Sequence, residues 1–107
     1  MSRHYSINEL GYKIFIRPDM LEYLERFKEK DKSIFDQLGL AINKLKEDPH
    51  RNKILKSPKK RIQKKRHSAR AGNYRIIYEI NDNTTPKEII ILKIGHRKEV
   101  YKKLDNL

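Results

Sequence analysis

The apolar residues of this 107-residue chain change their spacing near Asp48 and Pro49, from a helical period to a strand period. Before that point, apolar stripes recur every three or four residues, which predicts two helices over 18–30 and 31–46. Proline at 49 disfavours helical backbone at Asp48, so the second helix is expected to end there. Because the loop between the two helices is short, we expect them to pack as an antiparallel hairpin.

After Pro49 the pattern is that of a sheet. Apolar and polar residues alternate over 74–80, and Gly72-Asn73 just before them is typical of a two-residue hairpin turn. Residues 61–70 are expected to be extended, after a basic loop over 50–60. The almost unbroken apolar segment 88–94 predicts a central strand with one face covered by helices.

Two shorter elements complete the predicted order. Alternation over 12–16 indicates a first strand, and residues 98–104 are expected to form a short terminal helix. The order β-α-α-β-β-β-α predicts an α+β fold, in which the N-terminal strand and the helical hairpin pack on one face of a small, mainly antiparallel sheet. Residues 1–107 are expected to form a single domain, with 1–11 as a lead-in.

Composition excludes several classes of protein. The chain has no cysteine, so disulfides and thiolate metal sites are excluded, and its histidines show no ligand spacing. We expect neither a metal nor a cofactor. No apolar run approaches the length of a membrane span, so a cytoplasmic protein without membrane contact is expected.

The positive charge of the chain is concentrated in one segment. Residues 49–78 contain eleven Lys and Arg and no Asp or Glu, whereas the rest of the chain carries 15 basic and 14 acidic residues. Nearly all of the net charge of +12 is therefore local. Such a field favours polyanions, of which nucleic acid is the commonest. The basic residues expected to contact RNA phosphates are Lys56, Lys59, Lys60, Arg61, Lys64 and Arg66.

Strand alternation predicts a basic concavity on the sheet. Arg66 and Arg70 share a parity, and Arg75 points away from the side that buries Tyr74 and Ile76. The residues expected to converge on one face are Arg66, Arg70, Arg75, His96, Arg97 and Tyr101. Such a set suits RNA cleavage by attack of the 2′-oxygen on phosphorus. Arginine neutralises charge on the transition state, and Tyr or His moves protons.

Two segments, 70–80 (RAGNYRIIYEI) and 94–101 (IGHRKEVY), resemble the RelE branch of the RelE/ParE toxin superfamily. Residues 42–49 (INKLKEDP) are similar to the end of that family's second helix, and the resemblance runs over 12–103. It implies a RelE-like toxin of a type II toxin–antitoxin pair, bound by a RelB-like antitoxin in a heteromeric complex. Members of the RelE branch enter the ribosomal A site and cut mRNA there without metal.

The resemblance also implies site residues. Arg70, Arg75, Arg97 and Tyr101 match the phosphate-binding and catalytic positions of the family. Ser68 stands where some members have a lysine thought to act as the base, which leaves the base open among Lys65, His96 and Tyr101.

Other interpretations of the same residues stay open. Arg75 is also placed to pair with Glu79, Tyr101 to pack beneath the sheet, and His96 to cap a turn. ParE-type relatives share the fold and inhibit DNA gyrase by protein contact. A degenerate toxin that only binds RNA or antitoxin is a third possibility, favoured by Ser68.

Overall fold

The structure, a computed structural model, describes residues 11–55 and 65–102. In chain order these residues form β1 (Tyr12–Ile16), α1 (Pro18–Lys30), α2 (Lys32–Lys44), a 3-10 turn (Pro49–Arg51), β2 (Lys53–Leu55), β3 (Arg66–Ala71), β4 (Tyr74–Asn81) and β5 (Lys87–His96). The predicted lead-in over residues 1–11 lies almost entirely outside the described residues. Neither described helix is both long and apolar enough to cross a membrane.

Within the described residues, the strands form one sheet in the order β1-β5-β4-β3-β2. β1 runs parallel to β5, and every other neighbouring pair is antiparallel. The predicted α+β class, with two helices on a mainly antiparallel sheet, is therefore confirmed. The segment 50–60 was predicted to be a loop, but its described part, 50–55, contains the end of the 3-10 turn and the strand β2.

The hydrophobic core lies between the helices and one face of the sheet. The helical period brings Met20 and Leu24 of α1, and Leu38 and Ile42 of α2, onto the buried side. The sheet residues of this core are Ala69, Ala71, Ile76, Tyr78, Ile89, Ile91 and Ile94. Their neighbours on β3 and β4 must project from the opposite face, which we call the open face.

A two-residue turn joins β3 to β4 and sets their register. Gly72 has a φ of 61°, a conformation that L side chains rarely adopt, and Ala71 pairs with Tyr74 across the turn. The same register places Arg70 directly opposite Arg75. The hairpin predicted at Gly72-Asn73 is confirmed, and it determines which basic residues are neighbours.

The end of the described chain folds back over the open face. Residues 97–102 form hydrogen-bonded turns where a helix over 98–104 was expected, and residues 103–107 lie outside the described part. The turns pack directly on β5, since a Cβ on Gly95 would lie at contact distance, 3.4 Å, from the Cβ of Val100. Val100 is almost fully buried and covers this part of the sheet.

Tyr78 ties the 3-10 turn to the sheet. Its hydroxyl donates a hydrogen bond to the carbonyl of Pro49 at 2.5 Å and accepts one from Nδ2 of Asn52 at 2.9 Å. Burial raises the pKa of Tyr78, because the charged phenolate would lose its hydration. Asn52 directly precedes β2, so these bonds also hold the edge strand in place.

Candidate active site

A cavity of about 410 Å³ opens on the open face, between the sheet and the folded-back turns. Its lining residues are Lys53, Ser68, Arg70, Arg75, Arg97, Lys98 and Tyr101. They come from β2, β3, β4 and the turns after β5, so segments distant in sequence build one site.

Strand alternation directs the arginines into this cavity. Arg70 lies between Ala69 and Ala71, which both belong to the core, and Arg75 lies between Tyr74 and the fully buried Ile76. Since these neighbours face the helices, the two arginines face the other way. Arg97 reaches the same place because its backbone N–H donates to the carbonyl of Asn73 at 2.8 Å, which ties the turns to the hairpin.

Arg75 is held in place by the hairpin backbone. Its Nη1 donates to the carbonyl oxygens of Gly72 and Tyr74, at 2.8 Å each. These bonds fix the plane of the guanidinium and engage only one of its three nitrogens. The remaining N–H groups are left to bind an anion, and little side-chain entropy is lost when one binds.

The hydroxyls of Ser68 and Tyr101 meet at the wall of the cavity. Ser68 Oγ and Tyr101 Oη lie 3.0 Å apart, and either one is able to donate. Ser68 is 7% exposed, whereas Tyr101 is 42% exposed and does not pack beneath the sheet. The hydrogen bond therefore holds the exposed side chain of Tyr101 against the buried Ser68. The phenol ring of Tyr101 remains accessible to a ligand.

The cavity is strongly cationic. Of the described residues that line it, five carry a positive charge and none is acidic. None of these five makes an ion pair with a carboxylate in the described part of the chain. Uncompensated like charges at close range repel one another, and a bound anion such as a phosphodiester would relieve that repulsion.

Two residues expected in the concavity are not there. Nε of Arg66 lies 3.7 Å from a carboxylate oxygen of Glu79, and both side chains are largely buried, at 13% and 15% exposure. Glu79 therefore pairs with Arg66 rather than with Arg75. Arg66 shares the open face with Arg70, as its parity predicted, but it does not line this cavity, because the carboxylate on the adjacent strand holds its guanidinium.

His96 faces the helices instead of the cavity. β5 continues through His96, and register with Tyr74 puts the two rings 5.5 Å apart on the core side of the sheet. Its Nδ1 accepts a hydrogen bond from the backbone N–H of Lys98 at 3.2 Å. His96 therefore caps the turn, as the alternative interpretation of this residue held.

The other predicted residues fall into two groups. Lys65 is exposed in the segment just before β3 and is not among the residues that line the cavity. The remaining predicted RNA contacts, Lys56, Lys59, Lys60, Arg61 and Lys64, lie outside the described residues. Their roles stay predictions.

Lys53 and Lys98 were missed by the sequence analysis. Lys98 lies within the motif over 94–101, next to Arg97, so its place in the sequence could have indicated it. Lys53 had no such signal, because its place depends on pairing between β2 and β3.

The chain is thus a small α+β protein with a cationic cavity on the open face of its sheet. Residues 14–101 match the family model described as the ParE toxin of type II toxin-antitoxin system, parDE. The chain therefore belongs to this toxin family, within the RelE/ParE superfamily that its motifs resemble. Membership implies an antitoxin partner. No curated protein and no solved structure matches the chain significantly.

Proposed function

We propose that this toxin is a ribosome-dependent endoribonuclease of the RelE type, which cleaves mRNA in the A site without a metal cofactor. The observation that carries the proposal is the cavity in which Arg70, Arg75 and Arg97 surround the Ser68–Tyr101 hydroxyl pair. A phosphodiester needs cations on its non-bridging oxygens and a proton donor near its leaving oxygen, and this cavity offers both. The ribosomal target implies action in the cytoplasm.

The proposed reaction is an in-line displacement. The 2′-oxygen of the ribose bonds to phosphorus while the bond from phosphorus to the 5′-oxygen breaks, which yields a 2′,3′-cyclic phosphate and a 5′-hydroxyl. Arg70 and Arg75 bind the non-bridging oxygens as charge develops on them. Tyr101 donates a proton to the departing 5′-oxygen, and the 2′ proton passes to solvent.

In the proposed reaction, the role of base is not assigned to Lys65 or to His96. Neither lines the cavity, and the ring of His96 faces Tyr74 on the core side of the sheet. Because neither residue is among the described residues that line the cavity, catalysis in this proposal depends on holding the 2′-oxygen in line with the leaving group. The ribosome is proposed to supply that alignment, so free RNA should be a poor substrate.

A second candidate function follows from the family match. The matching model is named for ParE toxins, and ParE-type relatives inhibit DNA gyrase by protein contact. In that case the cavity would bind an acidic protein segment rather than RNA. The mRNA hypothesis explains why hydroxyls and arginines share one cavity, whereas the gyrase hypothesis requires no hydroxyl pair.

Reconstituted translation discriminates between the two functions. We expect the wild-type protein to produce new mRNA ends at A-site codons only while ribosomes translate, and Arg75→Ala to cut roughly 100-fold more slowly. Arg26→Ala, an exposed arginine on α1, is the matched control and should cut like wild type. Gyrase supercoiling is measured in parallel.

Two outcomes would contradict the mRNA proposal. One is intact mRNA together with inhibited supercoiling, which supports ParE-type action. The other is unchanged cleavage by the Arg75→Ala variant, which would show that the cavity does not take part in the reaction.

A further inference from the structure

We propose that Lys53 is an RNA-phosphate contact of this cavity, an inference that rests on the proposed function and extends it to a residue on a separate strand. Neither of the two sequence motifs contains Lys53. The structure nevertheless places it among the residues that line the cavity with Arg70, Arg75 and Tyr101.

The register of β2 brings Lys53 beside the hydroxyl pair. Lys53 is the direct partner of Ser68 in the antiparallel β2–β3 ladder. Residues directly opposite in such a ladder project from the same face, with Cβ atoms about 4.5–5.5 Å apart. The lysine side chain therefore extends on the open face next to Ser68, where Tyr101 is hydrogen-bonded.

A partly buried hydrogen-bond network supports this position. β2 has only three residues, so its own ladder is a weak anchor. The residue before it, Asn52, donates to Tyr78 Oη at 2.9 Å, and its carbonyl lies 3.2 Å from Nδ1 of His67. Tyr78 is fully buried. The core of the sheet thus positions Lys53 through its neighbour.

The charge of Lys53 is available to a ligand. Its side chain is exposed and makes no ion pair with any carboxylate in the described ranges 11–55 and 65–102. An ammonium is a compact point charge with three donors, whereas the nearby arginines offer planar forks. Lys53 therefore complements the arginines by binding an oxygen that a guanidinium does not reach.

Lys53 also lies where the cavity meets a second groove. Lys53, Ser68 and Arg70 line both the active-site cavity and an adjoining groove of about 690 Å³ beside the end of α2. That groove is further lined by two cations, Lys44 and Arg51, and by two carboxylates, Glu47 and Asp48. Lys53 therefore lies at the border between the cationic cavity and a groove of mixed charge, and a phosphate contact there would belong to the cavity.

The test is the salt dependence of RNA binding. The probe is a short single-stranded RNA with 2′-O-methyl groups throughout, which blocks attack by the 2′-oxygen. Each phosphate contact contributes about 0.7 to the slope of log Kd against log salt for single strands. We expect Lys53→Met to lower that slope by about 0.7, and Lys53→Arg to keep the wild-type slope because it retains the charge.

Lys13→Met is the matched control. Lys13 is an exposed strand lysine on β1, at the opposite edge of the sheet, and its removal changes the net charge equally. The inference is overturned if Lys53→Met and Lys13→Met change the slope equally, or if the wild-type protein does not bind the probe at low salt. It is also overturned if Lys53→Met keeps the wild-type slope.

Cleavage of mRNA on ribosomes is measured with the same variants. If wild-type protein does not cut mRNA but Lys53→Met alone lowers the slope, the proposed function fails and the phosphate contact stands. If wild-type protein cuts and Lys53→Met behaves like the control in binding, the proposed function stands and the role of Lys53 fails.

Discussion

At the scale of single residues, the sheet places two positive charges directly opposite each other, an arrangement that does not favour stability. Arg70 and Arg75 are direct cross-strand partners on the open face. Like charges directly opposite in a ladder are destabilising, whereas a few positions away the Arg66–Glu79 pair has opposite charges. The proposed binding of one phosphodiester by both arginines would explain why this repulsion is present at the hairpin.

Replacing Arg70 should therefore separate stability from activity. We expect Arg70→Gln to raise the free energy of unfolding by about 0.2–1 kcal/mol, because the cross-strand repulsion is removed. The same variant should cut A-site mRNA at least tenfold more slowly, since one phosphate ligand is lost. Urea unfolding and the translation assay measure the two effects. A variant that is less stable and fully active would contradict this account of Arg70.

At the scale of secondary-structure elements, periodicity predicted most of the fold. The helical stripes before Asp48 and the alternation over 74–80 both correspond to observed elements, because a long amphipathic pattern has few ways to bury its apolar face. β2 was missed because three residues carry too little pattern. β2 pairs with β3, which is distant in sequence, so the position of Lys53 in the site could not be predicted from the sequence either.

The candidate site was predictable only in part for the same reason. Parity along β3 and β4 was enough to bring Arg70 and Arg75 together, and the family resemblance added Arg97 and Tyr101. His96 was misplaced because β5 runs further than predicted. The pairing of β5 with β4 also shifts by one residue between Ile91 and Lys93, so Ile94 follows Ile91 on the core side and His96 faces the core with it.

The hydrogen bonds that attach the 3-10 turn to the sheet should weaken at alkaline pH. Burial raises the pKa of Tyr78 above the ordinary value near 10.0, so the folded state holds this proton more tightly than the unfolded chain does. The contribution is fully present below the unfolded pKa and is lost as pH rises through the folded pKa. We expect the free energy of unfolding to fall above about pH 10.

Tyr78→Phe is the variant that tests this pH dependence. It should be less stable at neutral pH, because the bonds to Pro49 and Asn52 are lost. Its stability should then fall less steeply above about pH 10 than that of wild type, since one buried phenol is absent. Urea unfolding at a series of pH values measures both. Equal slopes in the two proteins would show that Tyr78 does not contribute.

At the scale of the whole molecule, the two faces of the sheet have different roles. One face is covered by the helices and supplies the core, whereas the other carries the cationic cavity. The net charge of +12 is concentrated in the segment that supplies Lys53, Arg70 and Arg75 to that cavity. A toxin of this family with such a surface is suited to a polyanionic target, and screening by salt should weaken its binding.

In the proposed function, this cavity holds the scissile phosphodiester of mRNA in the ribosomal A site. The most direct test is cryo-electron microscopy of translating ribosomes with the toxin, on mRNA that carries a 2′-O-methyl group at the cleavage position. We predict density for the scissile phosphate within hydrogen-bonding distance of Arg75 and Tyr101. An empty A site, or a phosphate bound away from these two side chains, would contradict the account.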